Sequence, residues 1–425
     1  MMTIPLWEPS PEEIKKTNLT KFTKKIQEKY GINDTKYSTL HNWSTSNPGF
    51  FWEEVWKDCG VYYKESWKKV LNISEFNTNQ FKETSDWFEG VRLNFAENLL
   101  LHGNDQSEAI CFIGEDGLTR SIIFSELRRA VAKCAYGLKN CGVKKFDRVA
   151  AVIPNSPEAI IGMLATTSIG AIWTSCSPDF GVKGIFDRLG QIEPKILITV
   201  NEYYYNGKKY NCINKVREIV SSIPSIKCTF IVSFTKNQFT LKENESRWES
   251  LLDNSATEIA FEQLPFDHPI YILYTSGTTG LPKSIVHGAG GTLLKHLTEH
   301  RYHCDLKPND RLFYFTTCGW MMWNWLVSGL ASGATLILYD GSPLFPDISR
   351  MWRLIEENAI THFGTSPKYL STVKKGGYSP KKFHKFSTLR IILSTGSPLT
   401  KDIFSWFYKD VASVPLMSIA GGTDI

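Results

Sequence analysis

The sequence predicts an α/β architecture built around a largely parallel sheet. Three observations carry this. Short apolar runs of strand length recur from about residue 91 onward. Amphipathic stretches of helical length separate them. The runs are continuously hydrophobic instead of alternating, as expected of strands covered on both faces by crossover helices.

Met1 to about Gly90 precedes this rhythm and reads as an N-terminal extension, rich in Trp, Lys and Glu with helical patches and no strand alternation. Ser125–Cys141 is then an amphipathic helix, with Leu127, Val131, Cys134 and Leu138 on one stripe and Gly142 at its C-terminal end. The strand Arg148–Ile153, the helix Pro157–Ile169 and a strand around Ala171–Thr174 follow. A helix over Val182–Ile192 leads to the strand Lys195–Val200, and a helix over Asn214–Ser222 to the strand Cys228–Ser233. Polar Asn237–Asn254 reads as a surface excursion or a junction. The rhythm resumes after Asp267 and runs on to the end.

At 425 residues the chain exceeds one ordinary domain, and 42% hydrophobic with 21% charged residues is a globular balance. The net charge of +5 suits anionic small molecules. Lys and Arg are interspersed with Asp and Glu, so there is no nucleic-acid footprint. Nine cysteines without a C-x-x-C pair read as reduced thiols. The N-terminus shows no basic region followed by an apolar stretch, which makes the cytosol the default compartment. Leu312–Tyr339 lacks charge and is long enough to cross a bilayer, but Asn324, Ser328, Ser332 and Gly333 interrupt it. It reads as a buried helix, Trp320–Ala331, and a buried strand, Ala334–Tyr339, so no membrane span is expected.

The strongest chemical signal is Y-T-S-G-T-T-G-L-P-K, Tyr274–Lys283, directly after the apolar strand Ile270–Leu273. Gly277 and Gly280 allow close backbone approach to an anion. Thr275, Ser276, Thr278 and Thr279 supply hydroxyl donors, and Lys283 supplies positive charge. This is the composition of a phosphate-handling loop. Gly277–Ser284 nearly matches a Walker loop, but Pro282 occupies the second glycine's place. Proline has no N–H to donate at the helix start, which argues against a Walker-type NTPase.

With its surroundings, this loop resembles the signature of the adenylate-forming superfamily of acyl-CoA synthetases, luciferases and peptide-synthetase adenylation domains. The resemblance implies two stacked α/β subdomains with largely parallel sheets, and a loop that holds the β- and γ-phosphates of ATP. Three further stretches fall in the family's order. Thr361–Pro367 resembles the segment that brings an aromatic residue to the acyl pocket. Ser394–Leu399, with Gly396, Ser397 and Pro398, resembles the turn that stacks on adenine. Gly421–Asp424 resembles the threonine–acid pair. There the resemblance has Gly422 and Thr423 meet the α-phosphate, while the Asp424 carboxylate, standing where most relatives have Glu, holds Mg²⁺. Lys283, Thr423 and Asp424 are thereby the expected catalytic set.

The resemblance extends over nearly the whole chain to the branch whose substrates are acetoacetate, ATP and CoA. It rests on the P-L-W-E-P-S-P opening, Trp87–Leu100, Ser177–Val182, His287–Leu297, Gly319–Trp325 and the terminal G-G-T-D-I. The R-L-N-F-A-E-N portion is shared with acetyl- and propionyl-CoA synthetases. Acetyl-CoA synthetases carry a tryptophan two residues before the motif threonine, and here Gly421 stands there. Losing an indole opens room for a longer acid. Trp320, Met321 and Met322 are the expected pocket lining, apolar and adaptable.

Two other readings stay open on sequence. His296-Leu297-Thr298-Glu299-His300 matches an inverted zincin pattern, though no third acidic ligand is identifiable downstream. A catalytically silent nucleotide-binding module is the other. The family continues past the position of Ile425 with a ribose-binding aspartate, a hinge and a C-terminal domain that carries the adenylation lysine. The expectation is that a chain ending at Ile425 forms little acyl-CoA by itself.

Overall fold

The computed structural model describes residues 5–71, 87–275 and 280–423. Two seven-stranded sheets dominate it. The first is ordered Glu245–Arg247, Cys228–Val232, Ile196–Val200, Arg148–Val152, Ile172–Cys176, Pro269–Tyr274 and Ser284–Gly288. Its strands are parallel except for the last pair, which is antiparallel. The second is ordered Leu416–Ser418, Ile391–Ser394, His362–Thr365, Arg311–Tyr314, Thr335–Asp340, Glu108–Gly114 and Thr119–Ile123. Again only the final hairpin is antiparallel. Two largely parallel α/β sheets are thus observed, as the sequence pattern and the resemblance imply.

Most elements read from sequence sit within a residue or two of their expected ends. The helix Phe124–Asn140 buries Leu127, Val131, Cys134 and Leu138 as its stripe requires. The helix Pro157–Ser168 is buried on all sides because it packs against the helices Phe95–Leu101 and Phe124–Asn140 and the strand Ile172–Cys176, so it carries no exposed polar face. Val182–Leu189 ends earlier than expected, at Gly190. The excursion expected over Asn237–Asn254 is corrected in its second half. Glu245–Arg247 returns as the edge strand of the first sheet, and Trp248 and Leu251 of the following turn are buried.

Two hairpins were not legible, Glu108–Gly114 with Thr119–Ile123 and Glu202–Tyr205 with Lys208–Asn211. The uncharged stretch divides into the strand Arg311–Tyr314, the helix Met321–Ser328, a 3₁₀ turn Gly329–Ser332 and the strand Thr335–Asp340. Trp320 precedes the helix at its N-cap and is 52% exposed, which corrects its expected place inside a buried helix. Among the described residues no helix is long and apolar enough to cross a membrane.

Four helices, Pro11–Lys16, Asn18–Tyr30, Tyr37–Ser46 and Pro48–Cys59, form the extension. They join the main core: Phe22 stacks on Tyr302 with ring centroids 4.6 Å apart, and the backbone N–H of Asn18 donates to Asp305 at 2.8 Å. Asn94, fully buried, caps the helix Phe95–Leu101 by accepting from Glu97. Its amide also donates to the carbonyls of Ser168 (3.0 Å) and Glu262 (2.9 Å). In the R-L-N-F-A-E-N stretch this asparagine is therefore a scaffold clasp. Satisfying buried carbonyls this way avoids the cost of leaving them unpaired.

The two sheets meet near their carboxyl ends. The Ser175 hydroxyl donates to the Cys318 carbonyl (2.6 Å), the Cys318 thiol to the Pro154 carbonyl (3.3 Å), and the Trp323 indole to Asn155 Oδ1 (2.9 Å). A Cβ on Gly319 would come within 3.3 Å of the Ser177 nitrogen, so glycine suits this close approach. Arg120, on the hairpin of the second sheet, forks onto Glu158 of the helix Pro157–Ser168 at 2.6 and 3.0 Å.

Candidate active site

In open α/β sheets, ligands bind outside the carboxyl ends of the strands, where strand order reverses. In the second sheet that reversal is at Arg311–Tyr314, flanked by Thr335–Asp340 and His362–Thr365. The three motif stretches converge on this edge. Thr365 lies opposite Ser394, and Ser394 opposite Ser418. The Thr395 N–H donates to the Thr365 carbonyl (3.3 Å) and the Ile419 N–H to the Ser394 carbonyl (2.9 Å). Gly396 takes the turn after Ser394 with φ +97°, a conformation that favours glycine, and Ser397 and Pro398 follow on the surface. Gly421, Gly422 and Thr423 lie just beyond Ser418, with Gly421 exposed and the other two half-buried.

One motif residue has another place. Phe363, the aromatic of Thr361–Pro367, is fully buried against Phe313 (5.5 Å) and Trp352 (5.9 Å). It belongs to the core of the second sheet. The glycine beside it is required by packing, because a Cβ on Gly364 would sit 1.9 Å from the Tyr314 ring.

The Tyr274–Lys283 loop connects two antiparallel strands of the first sheet, Pro269–Tyr274 and Ser284–Gly288. The Thr275 N–H donates to the Lys283 carbonyl at 3.1 Å and closes its base. Gly280 has φ +130° with open space around it, and Lys283 is exposed. Ser276, Gly277, Thr278 and Thr279 lie outside the described residues, as does Asp424. Sequence reading missed Gln191, whose amide donates to the Pro282 carbonyl (2.8 Å) while its oxygen accepts from Ser284 (3.2 Å). It braces the loop from the turn that follows the helix Val182–Leu189, and nothing in its sequence context marks it.

A cavity of about 450 Å³ opens beside Gly421, within the range of small-molecule sites. Met321 and Met322 line it together with Gly421 and Gly422, whereas Trp320 is not among its lining residues. The structure adds Trp325, Met417 and Ile419 to the apolar wall. The polar wall comes from one helix, Ala289–Thr298, and the π-helical turn Glu299–His303 that continues it. Such turns are rare and concentrate at functional sites. Here they present Lys295, His296, Glu299 and His303 to the cavity.

Lys295 pairs with Glu299, whose other oxygen accepts the Trp325 indole N–H at 2.9 Å. His296 is buried, and burial first, then the neighbouring His300, His287 and Lys295, holds its pKa well below the usual histidine range. Its Nδ1 meets the Ser328 hydroxyl at 2.8 Å. His300 packs on the Trp325 ring at 4.1 Å, and burial lowers its pKa to about 3. The two histidines of the H-x-x-E-H pattern are thus committed to different neighbours. Among the described residues, no group of three or more His, Cys, Asp or Glu side chains could hold a metal ion.

Residues 101–424 match the family described as AMP-binding enzyme. The chain belongs to that family. Residues 37–99 match the acetyl-coenzyme A synthetase N-terminus, a span that takes in the last two of the four helices of the extension. This member of the AMP-binding enzymes is 45% identical over 426 residues to the acetoacetyl-coenzyme A synthetase of Rhizobium meliloti. It is 40% identical over 431 residues to the acetoacetyl-CoA synthetase of Gallus gallus. These alignments cover 99% of this chain and 64% of each relative, so the chain spans a little under two thirds of their length. The solved acetoacetyl-CoA synthetase of Streptomyces lividans superimposes with a TM-score of 0.93 at 37% identity, over 99% of this chain and 65% of that one.

Proposed function

We propose that this chain carries the nucleotide- and acyl-binding part of an acetoacetate–CoA ligase. Residues 1–90 serve as its extension and 91–425 as its AMP-binding region. The acid's carboxylate oxygen attacks the α-phosphorus of ATP, the bond to the bridging oxygen breaks, and pyrophosphate leaves. The sulfur of CoA then attacks the acyl carbonyl of acetoacetyl-AMP, forming acetoacetyl-CoA and releasing AMP.

The observation that carries this reading is the cavity at Gly421. Where an indole would close the pocket after two carbons, this chain has open space bounded by Met321, Met322, Met417 and Trp325. The relatives' names agree with it. The Thr275–Lys283 loop receives the β- and γ-phosphates, and the Lys283 ammonium offsets charge on the departing pyrophosphate. Gly396–Pro398 receives adenine, and Thr423 meets the α-phosphate. Mg²⁺ is assigned to Asp424, beyond the described residues, and would supply further charge neutralisation on the phosphates.

The test is exchange of labelled pyrophosphate into ATP by the full-length protein. Acetoacetate should drive exchange more efficiently than acetate. Better exchange with acetate would refute the acyl assignment.

A further inference from the structure

The acyl cavity contains one buried polar side chain that the ligase reaction does not employ. His296 lies on the wall formed by the helix Ala289–Thr298, 3% exposed. Its neighbours there have prior engagements. Glu299 uses one oxygen on Lys295 and the other on the Trp325 indole. Lys295 is half-exposed and held by that pair, and His303 stands on the exposed side. The rest of the lining contacts are mostly Met, Trp and Ile side chains with a backbone segment.

The hydrogen bonding of His296 is incomplete on the cavity side. Nδ1 is bonded to Ser328, but Nε2 has no hydrogen-bond partner among the described residues. Both nitrogens of His300 are sealed from solvent without a partner, whereas Nε2 of His296 is not sealed. The ring is neutral for the reason given above, so one nitrogen carries a proton and the other a lone pair. Ser328 decides which. Its oxygen lies 2.8 Å from Nδ1 and 3.1 Å from the Asn324 carbonyl. With the hydroxyl proton on the Asn324 carbonyl, Nδ1–H donates to Ser328 and Nε2 is a bare acceptor. With that proton turned to Nδ1, the Nε2–H becomes a donor into the cavity.

A keto oxygen can only accept. We propose that His296 is the specificity-determining residue for the 3-oxo group, its Nε2–H donating to that oxygen while Ser328 donates to Nδ1. The inference rests on the ligase reading above and names the feature of the acid that this wall recognises. Butyrate, which has the same carbon chain without the oxo group, leaves Nε2–H unpaired, and a site built to pair a polar group rejects the analogue that lacks it. Ser328 acts as a positioning residue, since it sets the tautomer without reaching the substrate.

The experiment compares His296→Asn and His296→Gln in the full-length protein by pyrophosphate exchange with acetoacetate and with butyrate. Asparagine can keep a bond to Ser328 but falls short of the Nε2 position, whereas glutamine places an amide N–H near it. The readout is the ratio of kcat/KM for the two acids, which does not depend on the fraction of protein folded. The ratio should drop about tenfold in His296→Asn and by clearly less in His296→Gln. Equal ratios in the two variants, or equal losses on both acids, would overturn the assignment as a merely structural effect. If the wild type turns over butyrate and acetoacetate alike, the proposal for His296 fails while the ligase reading stands. If it exchanges with neither acid, the ligase reading fails and takes this inference with it.

Discussion

Replacing Gly421 by tryptophan tests the acyl pocket most directly. A Cβ at Gly421 meets no atom within 4 Å, and its φ lies outside the positive range, so the backbone accepts a side chain there. The indole would enter the 450 Å³ cavity between Met321, Met322 and Met417. Acetoacetate extends two carbons beyond acetate. Burial of the added methyl contributes about 0.8 kcal/mol and pairing of the oxo oxygen about 1 kcal/mol, so their exclusion loses about 1.8 kcal/mol. Forcing the longer acid against the new ring adds an overpacking cost of about 1–3 kcal/mol, with the flexible methionines favouring the lower figure. Together these shift selectivity toward acetate by about a hundred- to a thousandfold. Pyrophosphate exchange with each acid gives the two kcat/KM values, and an unchanged Tm confirms folding. Equal losses on both acids, or a ratio shifted less than about fivefold, would show that Gly421 does not bound the acyl group.

Three further outcomes are expected. Gly364→Ala should cost about 1–3 kcal/mol in urea unfolding, because its Cβ would lie 1.9 Å from the buried Tyr314 ring; an unaltered midpoint would mean that strand and ring shift apart freely. Gln191→Ala should raise KM for ATP about threefold with little change in Tm, since it removes the brace on Pro282 and Ser284, and an unchanged KM would show the loop holds itself. Burial pushes the Asp340 carboxyl up from 3.8 to about 7, so between those values the folded state keeps a proton that the unfolded chain has released, and stability falls as pH rises through that window. Asp340→Asn should therefore match wild type near about pH 4 and exceed it by about 1 kcal/mol or more at about pH 8; a difference independent of pH would refute the burial argument.

Legibility in the sequence followed position in the sheets. Arg148–Val152, Ile172–Cys176 and Ile196–Val200 lie inside the first sheet with neighbours on both sides, so their sequences are mainly apolar and readable. Thr119–Ile123 is an edge strand with one neighbour and an exposed Thr119 and Ser121, and its composition does not differ from a loop's. Lys208–Asn211 is exposed at every residue and equally silent. Glu108–Gly114 is apolar enough to be a strand, but its partner Thr335–Asp340 lies more than two hundred residues later. Periodicity reports what a segment buries, never which sheet buries it. That is also why Glu245–Arg247 was hidden inside a polar run: three residues at a sheet edge need little hydrophobicity when the buried anchors, Trp248 and Leu251, follow the strand.

The site divides along a similar line, between what backbone chemistry demands and what side-chain packing decides. Glycines at Gly280 and Gly396 mark turns that other residues resist, and motif reading found both. Met321, Met322 and Gly421, singled out because a missing indole is a statement about volume, line one cavity. Trp320 was misplaced by a single residue of helix boundary: the chain enters the helix at Met321, and the N-cap position turns the indole outward to 52% exposure. The polar wall escaped for a different reason. His296, Glu299 and His300 first suggest a metal pattern, and only the packing of Trp325 separates their tasks, by a tilted ring contact with His300 and an indole N–H donated to Glu299. What remains is His296, bonded to Ser328 on one side and facing the cavity on the other. The spacing that resembled a zinc site is the i, i+4 geometry of one helix face, and two buried histidines without a third ligand among the described residues leave a neutral hydrogen-bonding group beside the cavity, not a metal ligand set.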